Sequence, residues 1–408
     1  MPHIYIREKD NTTPEAEDDY NVVYVPIVDS TAGATAKEPP AEPLVTVAAL
    51  DKYLGDTVSN ENIGYSYAIG LINLGLPVLP ELVKSKDDIN WDKLTDRGLY
   101  SIKFLTAGGL ELDVSPQTGK ETLDTSSMNK MLAAAAKRGD CIALLDHSKE
   151  ITVVADSTYA DAVRKDLGLN IEASSTSSTS SGALVSNANL KFGAAFSPWC
   201  TISGKEMPPS FAFLSAYAAS VATNPNWYAS AGKSRGVIPN ITAVKHSYGD
   251  VEVNSLQART IKADGDFGDN DNTGIAINPI AYIRAFGDYV VWGNRTLVKN
   301  DAGLTASSFL NIRNLCCDVK KELYSAARDF TFEQNDDILW ANFSARIKPL
   351  LDKALSGGGI KGYKLMKEET GKRGRLKARV KIVPIEAVED FDLTLELTDS
   401  LETVGESI

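Results

Sequence analysis

The sequence predicts an α/β protein of several domains. Its 408 residues exceed the usual domain size of about 100–200 residues, so two or three domains are expected. Hydrophobic residues make up 43% of the chain and charged residues 24%, which allows most of it to bury a core. A helix pattern, a glycine and an apolar strand pattern follow one another at 127–146, the order that is typical of an α/β layer.

The first 43 residues contain one strand pattern, Tyr20–Val28 (YNVVYVPIV), which is rich in β-branched and aromatic residues. Polar and Pro/Ala-rich segments flank it and are too poor in apolar residues to pack on themselves. An isolated strand is not stable alone, so this one must pair with a sheet in this chain or in another.

Residues 44–182 alternate helix and strand patterns. Gly98–Leu105 is a strand candidate, and Ser127–Arg138 is rich in Ala and Leu and predicts a helix that Gly139 can end. Cys141–Asp146 predicts a buried strand. The low-complexity stretch 174–182 (SSTSSTSSG) predicts a linker or exposed loop, and a domain boundary is expected near it.

The second half of the chain carries the longest helix patterns. Ala194–Trp199 predicts a strand that runs into a turn, and Ser210–Ala222 predicts a helix after two prolines. Phe309–Phe330 places apolar residues at three- and four-residue spacing and predicts an amphipathic helix. A second helix is expected over Asp337–Leu355, before three glycines.

Two strand patterns with opposite charge end the chain, at Leu376–Val383 and Phe391–Leu397. The polar face of the first is basic and that of the second is acidic, so the charges can meet if the strands pair within or between subunits. The apolar faces comprise Leu376, Ala378, Val380 and Ile382 in the first strand, and Phe391, Leu393, Leu395 and Leu397 in the second.

No motif in the sequence predicts a catalytic, cofactor or metal site. Gly232–Ser234 resembles the end of a phosphate-binding loop, but Trp227 stands where the loop needs its first glycine. Asp264–Asn272 is rich in oxygen ligands, yet Asp269 occupies the position at which an EF-hand requires glycine. The three histidines lie far apart in sequence: His3, His147 and His246.

Charge and cysteine usage narrow the class of protein further. A formal net charge of -12 disfavours general attraction to nucleic acid. The one basic run, Lys361–Lys381, indicates a solvated strand face or a contact with an acidic neighbouring subunit. The four cysteines form no CxxC pair and predict free thiols in a reducing cytoplasm. The start of the sequence lacks the order of a secretory signal, and no apolar run is long enough to span a membrane.

Several stretches together resemble the tail sheath proteins of contractile phages and related injection machines. The most specific is Asn278–Leu297 (NPIAYIRAFGDYVVWGNRTL), followed by FEQNDDILW from Phe332 after a long helix. The pairs Pro198-Trp199 and Val383-Pro384, the PPS at 208–210 and the closing EDFDLTLELTD also match.

The resemblance implies a core domain with helices on a mixed sheet, an inserted outer domain, and arms at both ends that add strands to the sheets of neighbouring subunits. The corresponding ranges are an N-terminal arm at 1–43, an outer α/β domain at 44–182, a sheath core at 183–360 and C-terminal strands at 361–408. The strands expected to exchange contain Tyr20, Val22, Val23, Tyr24 and Val25, and the two apolar sets of the final strands. Polar residues of the long helix are expected to face an inner tube: Arg313, Lys320 and Lys321.

The function that the resemblance implies is structural. Such subunits form stacked six-membered rings around a tail tube and contract, which drives the tube through the host envelope for genome delivery. The implied partners are further copies of the chain, the tube protein, and baseplate and terminator proteins, without direct nucleic acid or membrane contact. The implied location is the virion, assembled in the bacterial cytoplasm. Three alternatives remain open: the sheath of a pyocin-like or type VI-like injection device, a soluble α/β enzyme, and another self-assembling shell or surface protein.

Overall fold

A seven-stranded sheet forms the centre of the protein. The computed structural model describes residues 21–30, 35–55, 58, 61–111, 127–153, 157–169, 187–258, 275–285, 287–299, 304–368 and 375–387. The strands of this sheet are β1 (Val23–Val28), β2 (Val78–Val83), β3 (Phe104–Leu105), β4 (Ile142–Leu145), β5 (Gly193–Ser197), β9 (Asn278–Ile283) and β10 (Asp288–Val291). Their order across the sheet is β10-β9-β5-β4-β3-β1-β2, and neighbours are parallel except for β10 against β9.

Helices cover both faces of this sheet, as its parallel strands require. One face packs against α1 (Val47–Leu54), α2 (Ile63–Asn73) and α6 (Pro209–Val221). The other packs against α3 (Ser127–Arg138), α4 (Tyr159–Asp166), α5 (Asn187–Leu190) and α8 (Asp250–Leu256). Burial on both faces explains why β1, β4 and β5 are almost continuously apolar and not alternating.

A three-stranded antiparallel sheet lies beside the central one. It contains β6 (Cys200–Ile202), β7 (Lys205–Met207) and β8 (Ile241–Val244), in the order β7-β6-β8. The short helix α7 (Gly232–Arg235) contains the glycine-lysine-serine sequence noted above.

The C-terminal part forms a helical pair capped by a β-hairpin. It contains α9 (Leu310–Asp329), α10 (Asp337–Ser356), β11 (Ile360–Glu368) and β12 (Lys377–Pro384). The apolar stripe of α9 packs on α10 through Leu315, Val319 and Phe343, and Asp336 caps α10 by accepting from the Leu339 amide at 2.8 Å. The two strands pair antiparallel and form a sheet of their own.

The predicted α/β fold class is confirmed, together with several elements. Helix α3 has the predicted bounds, α9 and α10 each agree to within a residue, and β4 is the predicted buried strand. The strand expected over Gly98–Leu105 is wrong except for its last two residues. The Tyr100 carbonyl accepts from Arg138 Nη2 at 2.9 Å, so a side chain takes up the hydrogen bond that a neighbouring strand would make.

The domain boundary expected near residue 182 is corrected by the sheet topology. Strands β4 and β5 lie on either side of that boundary and pair with each other through Ala143–Leu145 and Gly193–Ala195. The ranges 44–182 and 183–360 therefore share one sheet. A Ser/Thr-rich composition indicates a loop, but it carries no information about whether the strands that flank the loop pair.

Candidate assembly surface

The β11–β12 hairpin has one apolar and one basic face. Tyr363 and Leu365 of β11, and Ala378, Val380 and Ile382 of β12, pack against the α9–α10 core. The opposite face carries Lys364, Lys377, Arg379 and Lys381, together with Met366 and Glu368. Three residues of the apolar set of the first tail strand, Ala378, Val380 and Ile382, therefore face the chain's own helical core.

The charges on the basic face are only partly balanced by the hairpin itself. Glu368 pairs with Lys377 at 2.6 Å and with Arg379 at 2.5 Å. Lys364 and Lys381 stand directly opposite each other in the register, and like charges in opposed positions destabilise a strand pair. An acidic group brought to this face would relieve that repulsion.

Both outer edges of the hairpin lack a partner strand within the described part of the chain. An unpaired edge presents a row of amide and carbonyl groups that another strand can satisfy. The second tail strand, with Phe391, Leu393, Leu395 and Leu397, lies outside the described residues.

The strand that was expected to exchange at the N-terminus lies in the central sheet of its own chain. Its described part forms β1, which pairs with β2 over Val23–Val28 and with β3 through Val23 and Tyr24. Val22, Val23, Tyr24 and Val25 are completely buried, and Tyr24 donates a hydrogen bond to Glu81. These four residues are therefore corrected from exchange positions to core positions, because a strand paired on both edges has no free edge for a neighbour. Tyr20 lies outside the described residues.

The residues predicted to face a tube make contacts within the chain. Arg313 and Lys321 are 8% and 7% exposed. Arg313 and Lys320 lie over the Phe192 ring at 5.0 and 5.1 Å from its centroid, and Lys320 Nζ donates to the Gly139 carbonyl at 2.7 Å. These contacts join α9 to the central sheet, and Lys320 remains partly exposed beside them.

A buried ion pair fixes the same contact. Lys103, which directly precedes β3, lies 2.6 Å from Asp318 of α9, and both side chains are buried. Removing one member of such a pair leaves an uncompensated buried charge, which costs about 3–5 kcal/mol. The helical part and the central sheet are thereby held as one body.

The turn between α9 and α10 and the first residues of α10 expose large apolar side chains. Phe332 is completely exposed and has a positive φ of 76°, and Ile338 is 68% exposed. A bulky residue with positive φ is strained. Exposed apolar side chains that lie close together are candidates for an interaction surface.

The structure also brings together polar residues that the sequence left far apart. Ser197 Oγ lies 2.8 Å from His147 Nε2 and 2.6 Å from Tyr248 Oη, and His147 Nδ1 contacts the Ser148 carbonyl at 2.8 Å. This is not the geometry of a nucleophilic triad, in which a carboxylate orients the histidine. Ser197 and His147 are also 0% and 1% exposed, which denies access to a substrate.

A second buried array lies next to the first. Asp146 accepts hydrogen bonds from the amide and the hydroxyl of Ser210, at 2.7 and 2.6 Å, at the start of α6. The Ser210 hydroxyl lies 2.9 Å from Tyr67 Oη, which joins α6 to α2. No sequence signal marks these pairs, because their members are 64 and 143 residues apart.

The described residues contain no group of three or more His, Cys, Asp or Glu side chains that could hold a metal ion. No helix among them is long and apolar enough to cross a membrane.

No protein-family model and no curated protein sequence matches this chain. Solved structures do match it over nearly its whole length. The PVC sheath complex of an extracellular contractile injection system, in its contracted state, aligns with a TM-score of 0.62 and 18% identity, covering 98% of each chain. A structure of the anti-feeding prophage baseplate gives 0.60 and 16% identity, and the contracted helical sheath of the same particle gives 0.58 and 16%; both alignments cover 98% of this chain and 99% of the other. This chain therefore has the fold of contractile sheath proteins, as its sequence resemblance indicated.

Proposed function

We propose that this protein is the subunit of a contractile sheath, which polymerises as stacked six-membered rings around an inner tube and contracts to drive that tube through a target envelope. The observation that carries the proposal is the alignment over 98% of both chains with a contracted sheath. No nucleotide site is needed for such a motor, because the work comes from the difference between two packings of the same surfaces.

The β11–β12 hairpin is the proposed strand acceptor of the assembly. Its open edges are suited to an added strand, and its basic face complements Asp392 and Glu396 of the last tail strand. Strand Phe391–Leu397 of a neighbouring copy is the proposed donor. In that position its four apolar residues continue the face that packs on α9 and α10.

The assembly is proposed to serve either a phage tail or an injection device, with tube and baseplate proteins as partners. The three structures named above come from a contractile injection system and the anti-feeding prophage, which favours a device of that kind as the second candidate. Genes next to this one distinguish the two, since only a phage needs a capsid and a genome-packaging enzyme.

Electron microscopy of the purified chain tests the proposal. We expect negative-stain images to show hollow cylinders at high protein concentration. Co-expression with the tube protein covers the case in which the sheath needs a template. A chain that stays monomeric under both conditions would contradict the sheath function.

A further inference from the structure

A cavity of about 660 Å³ opens at the point where the described part of the chain begins. Asn21, its first residue, lines the cavity and is held in place there because its side-chain oxygen accepts a hydrogen bond from Tyr217 Oη at 2.7 Å. The residues before Asn21 are therefore joined to the chain at a residue of the cavity wall. Its walls come from the loop after α6 and from the facing sides of α9 and α10.

The walls of the cavity are fixed by hydrogen bonds. Asn224 Nδ2 donates to the Ser220 carbonyl at 3.2 Å, and Asn311 Nδ2 donates to the Trp227 carbonyl at 3.0 Å. The indole nitrogen of Trp227 donates to the Gly357 carbonyl at 3.1 Å, just after α10. The cavity is therefore formed before any segment occupies it, which lowers the entropic cost of binding one.

The lining combines an apolar surface with charged residues of both signs. Its carboxylates, Asp318 and Glu322 of α9, are nearly buried and are paired with Lys103 and Arg346, so the exposed charges of the lining are the cations of α10. Arg346 and Lys353 lie on that helix, and the Arg346 side chain remains 48% exposed although it contacts Glu322 at 2.5 Å. The apolar lining comprises Val221, Pro225, Trp227, Leu315, Pro349 and Leu350. A suitable occupant carries an aromatic or aliphatic side chain next to several acidic ones.

The segment that leads into Asn21 has this composition. Residues 15–20 read EAEDDY, four acidic residues followed by a tyrosine. We propose that residues 15–20 dock in the cavity of their own chain, with Tyr20 against the apolar lining and the acidic side chains towards Arg346 and Lys353. Because Tyr20 is bonded to Asn21, the aromatic side chain needs no long connection to reach the lining.

The docking limits how far the N-terminal segment reaches. Residues 1–14 remain beyond the docked stretch, and a fully extended chain spans about 3.3–3.6 Å per residue, or about 45–50 Å in all. In a sheath, this free length is what can contact a neighbouring subunit. This consequence rests on the proposed function, whereas the docking itself does not.

A disulfide test in the full chain distinguishes docking in the same chain from docking in another copy. Asp19→Cys is combined with Lys353→Cys in a Cys316→Ser background, because the other native cysteines are buried. The matched control combines Asp19→Cys with Lys348→Cys, an exposed position on the same helix that does not line the cavity. After mild oxidation of dilute protein, we expect an intramolecular disulfide for the Lys353 pair and several-fold less for the control, since the Cα atoms must come within about 7 Å.

Protease cleavage checks the same inference without introduced cysteines. A protease that cuts after glutamate should cleave at Glu8 readily and at Glu17 much more slowly. Lys353→Glu should bring the two rates together, whereas the control Lys348→Glu should leave them apart. Equal cleavage at Glu8 and Glu17 in the unaltered chain overturns the proposal. So do disulfide dimers as the main product, which would place another copy's segment in the cavity. Cylinder formation is scored separately, so failure of the sheath function and failure of the docking are distinguishable.

Discussion

At the scale of single residues, Asp146 and His147 have opposite effects on stability as the pH changes. Burial raises the pKa of Asp146 to about 7, although Ser210 donates two hydrogen bonds to its carboxylate. Burial lowers the pKa of His147 to about 4. The Asp146 contribution is complete below its unfolded pKa of about 3.9 and is lost as the pH rises through about 7. The His147 contribution is complete above about 6.5 and is lost as the pH falls through about 4.

The two contributions cancel over most of the range between pH 4 and 6.5. Substituting either residue should therefore reveal the pH dependence of stability that the other one causes. Compared with the unaltered protein, Asp146→Asn should have a free energy of unfolding that rises by about 3 kcal/mol more over this interval, because the His147 contribution is then no longer cancelled. His147→Gln should instead leave one that falls as the pH rises towards 7. Denaturant unfolding at a series of pH values measures both. Identical pH profiles for Asp146→Asn and the unaltered protein would show that Asp146 does not titrate in this range.

Phe332 offers a second test at this scale. Its positive φ lowers the stability of the monomer, whereas its exposed ring is expected to contribute to assembly. Phe332→Gly should raise the free energy of unfolding of the monomer by about 1 kcal/mol, since glycine adopts this conformation without strain. The same change should weaken assembly, because it removes a completely exposed aromatic side chain. Denaturant unfolding and sedimentation of assembled particles measure the two effects. A variant that is more stable and assembles normally would show that this turn is not part of an interface.

The contacts of individual side chains were the least predictable feature of the structure. The apolar stripe of α9 was predictable from its spacing, but the partners of its polar side were not. Lys320 meets Gly139, 181 residues earlier, and Lys103 meets Asp318, 215 residues later. A helical pattern identifies the face that is apolar, whereas the burial of Arg313 and Lys321 depends on a second surface that is assembled only by the fold.

At the scale of elements, the β11–β12 hairpin carries the prediction that bears most directly on strand exchange. Lys364→Glu should replace the opposed Lys364–Lys381 pair by a favourable one and stabilise the monomer by about 0.5 kcal/mol. The same substitution should weaken polymerisation, because it places a negative charge beside the acidic donor strand. Thermal unfolding of the monomer and electron microscopy of polymers measure the two effects.

The matched control for the hairpin is Lys348→Glu, the same charge change on the exposed side of α10. It should leave polymerisation unchanged. Combining Lys364→Glu with Asp392→Lys should restore polymerisation if the donor strand reaches this face. If Lys348→Glu and Lys364→Glu weaken polymerisation equally, total charge matters and strand pairing at the hairpin does not explain the result.

The sequence predicts best those elements whose composition and terminating residues both lie within or next to the element itself. Helix α3 has an alanine-rich run and a glycine with positive φ at its end, and both signals lie within the segment itself. The partner of β12 was not predicted, because β11 lies within a lysine-rich stretch that reads as a solvated surface. The alternation of apolar and polar residues in β11 indicates a strand only together with the packing of Tyr363 and Leu365 on the helical core, which the sequence alone does not provide.

At the scale of the whole molecule, the central sheet and the helical pair form one body, and this affects how contraction can work. The contact between them contains the buried Lys103–Asp318 pair, whose disruption costs about 3–5 kcal/mol, and the hydrogen bond from Lys320 to the Gly139 carbonyl. A sheath built from such subunits should contract by rigid-body rotation, with the change confined to the connecting strands. The length and composition of the chain predicted more than one domain, but they gave no indication that a single sheet would run through residues 23–291.

Deleting residues 388–408 tests strand exchange with the least change to the rest of the molecule. Removing residues 376–408 would delete β12 and expose the apolar side of the helical pair, so a failure to assemble would only report misfolding. Removing residues 388–408 leaves every described element in place, takes away seven acidic residues and no basic one, and changes the formal net charge from -12 to -5. We expect this shorter chain to keep the unfolding free energy of the monomer but to form no cylinders, because the hairpin edges then receive no donor strand. Cylinders of normal width from the shorter chain would show instead that the subunits are connected by other surfaces, with the exposed turn at Phe332 as the next one to test.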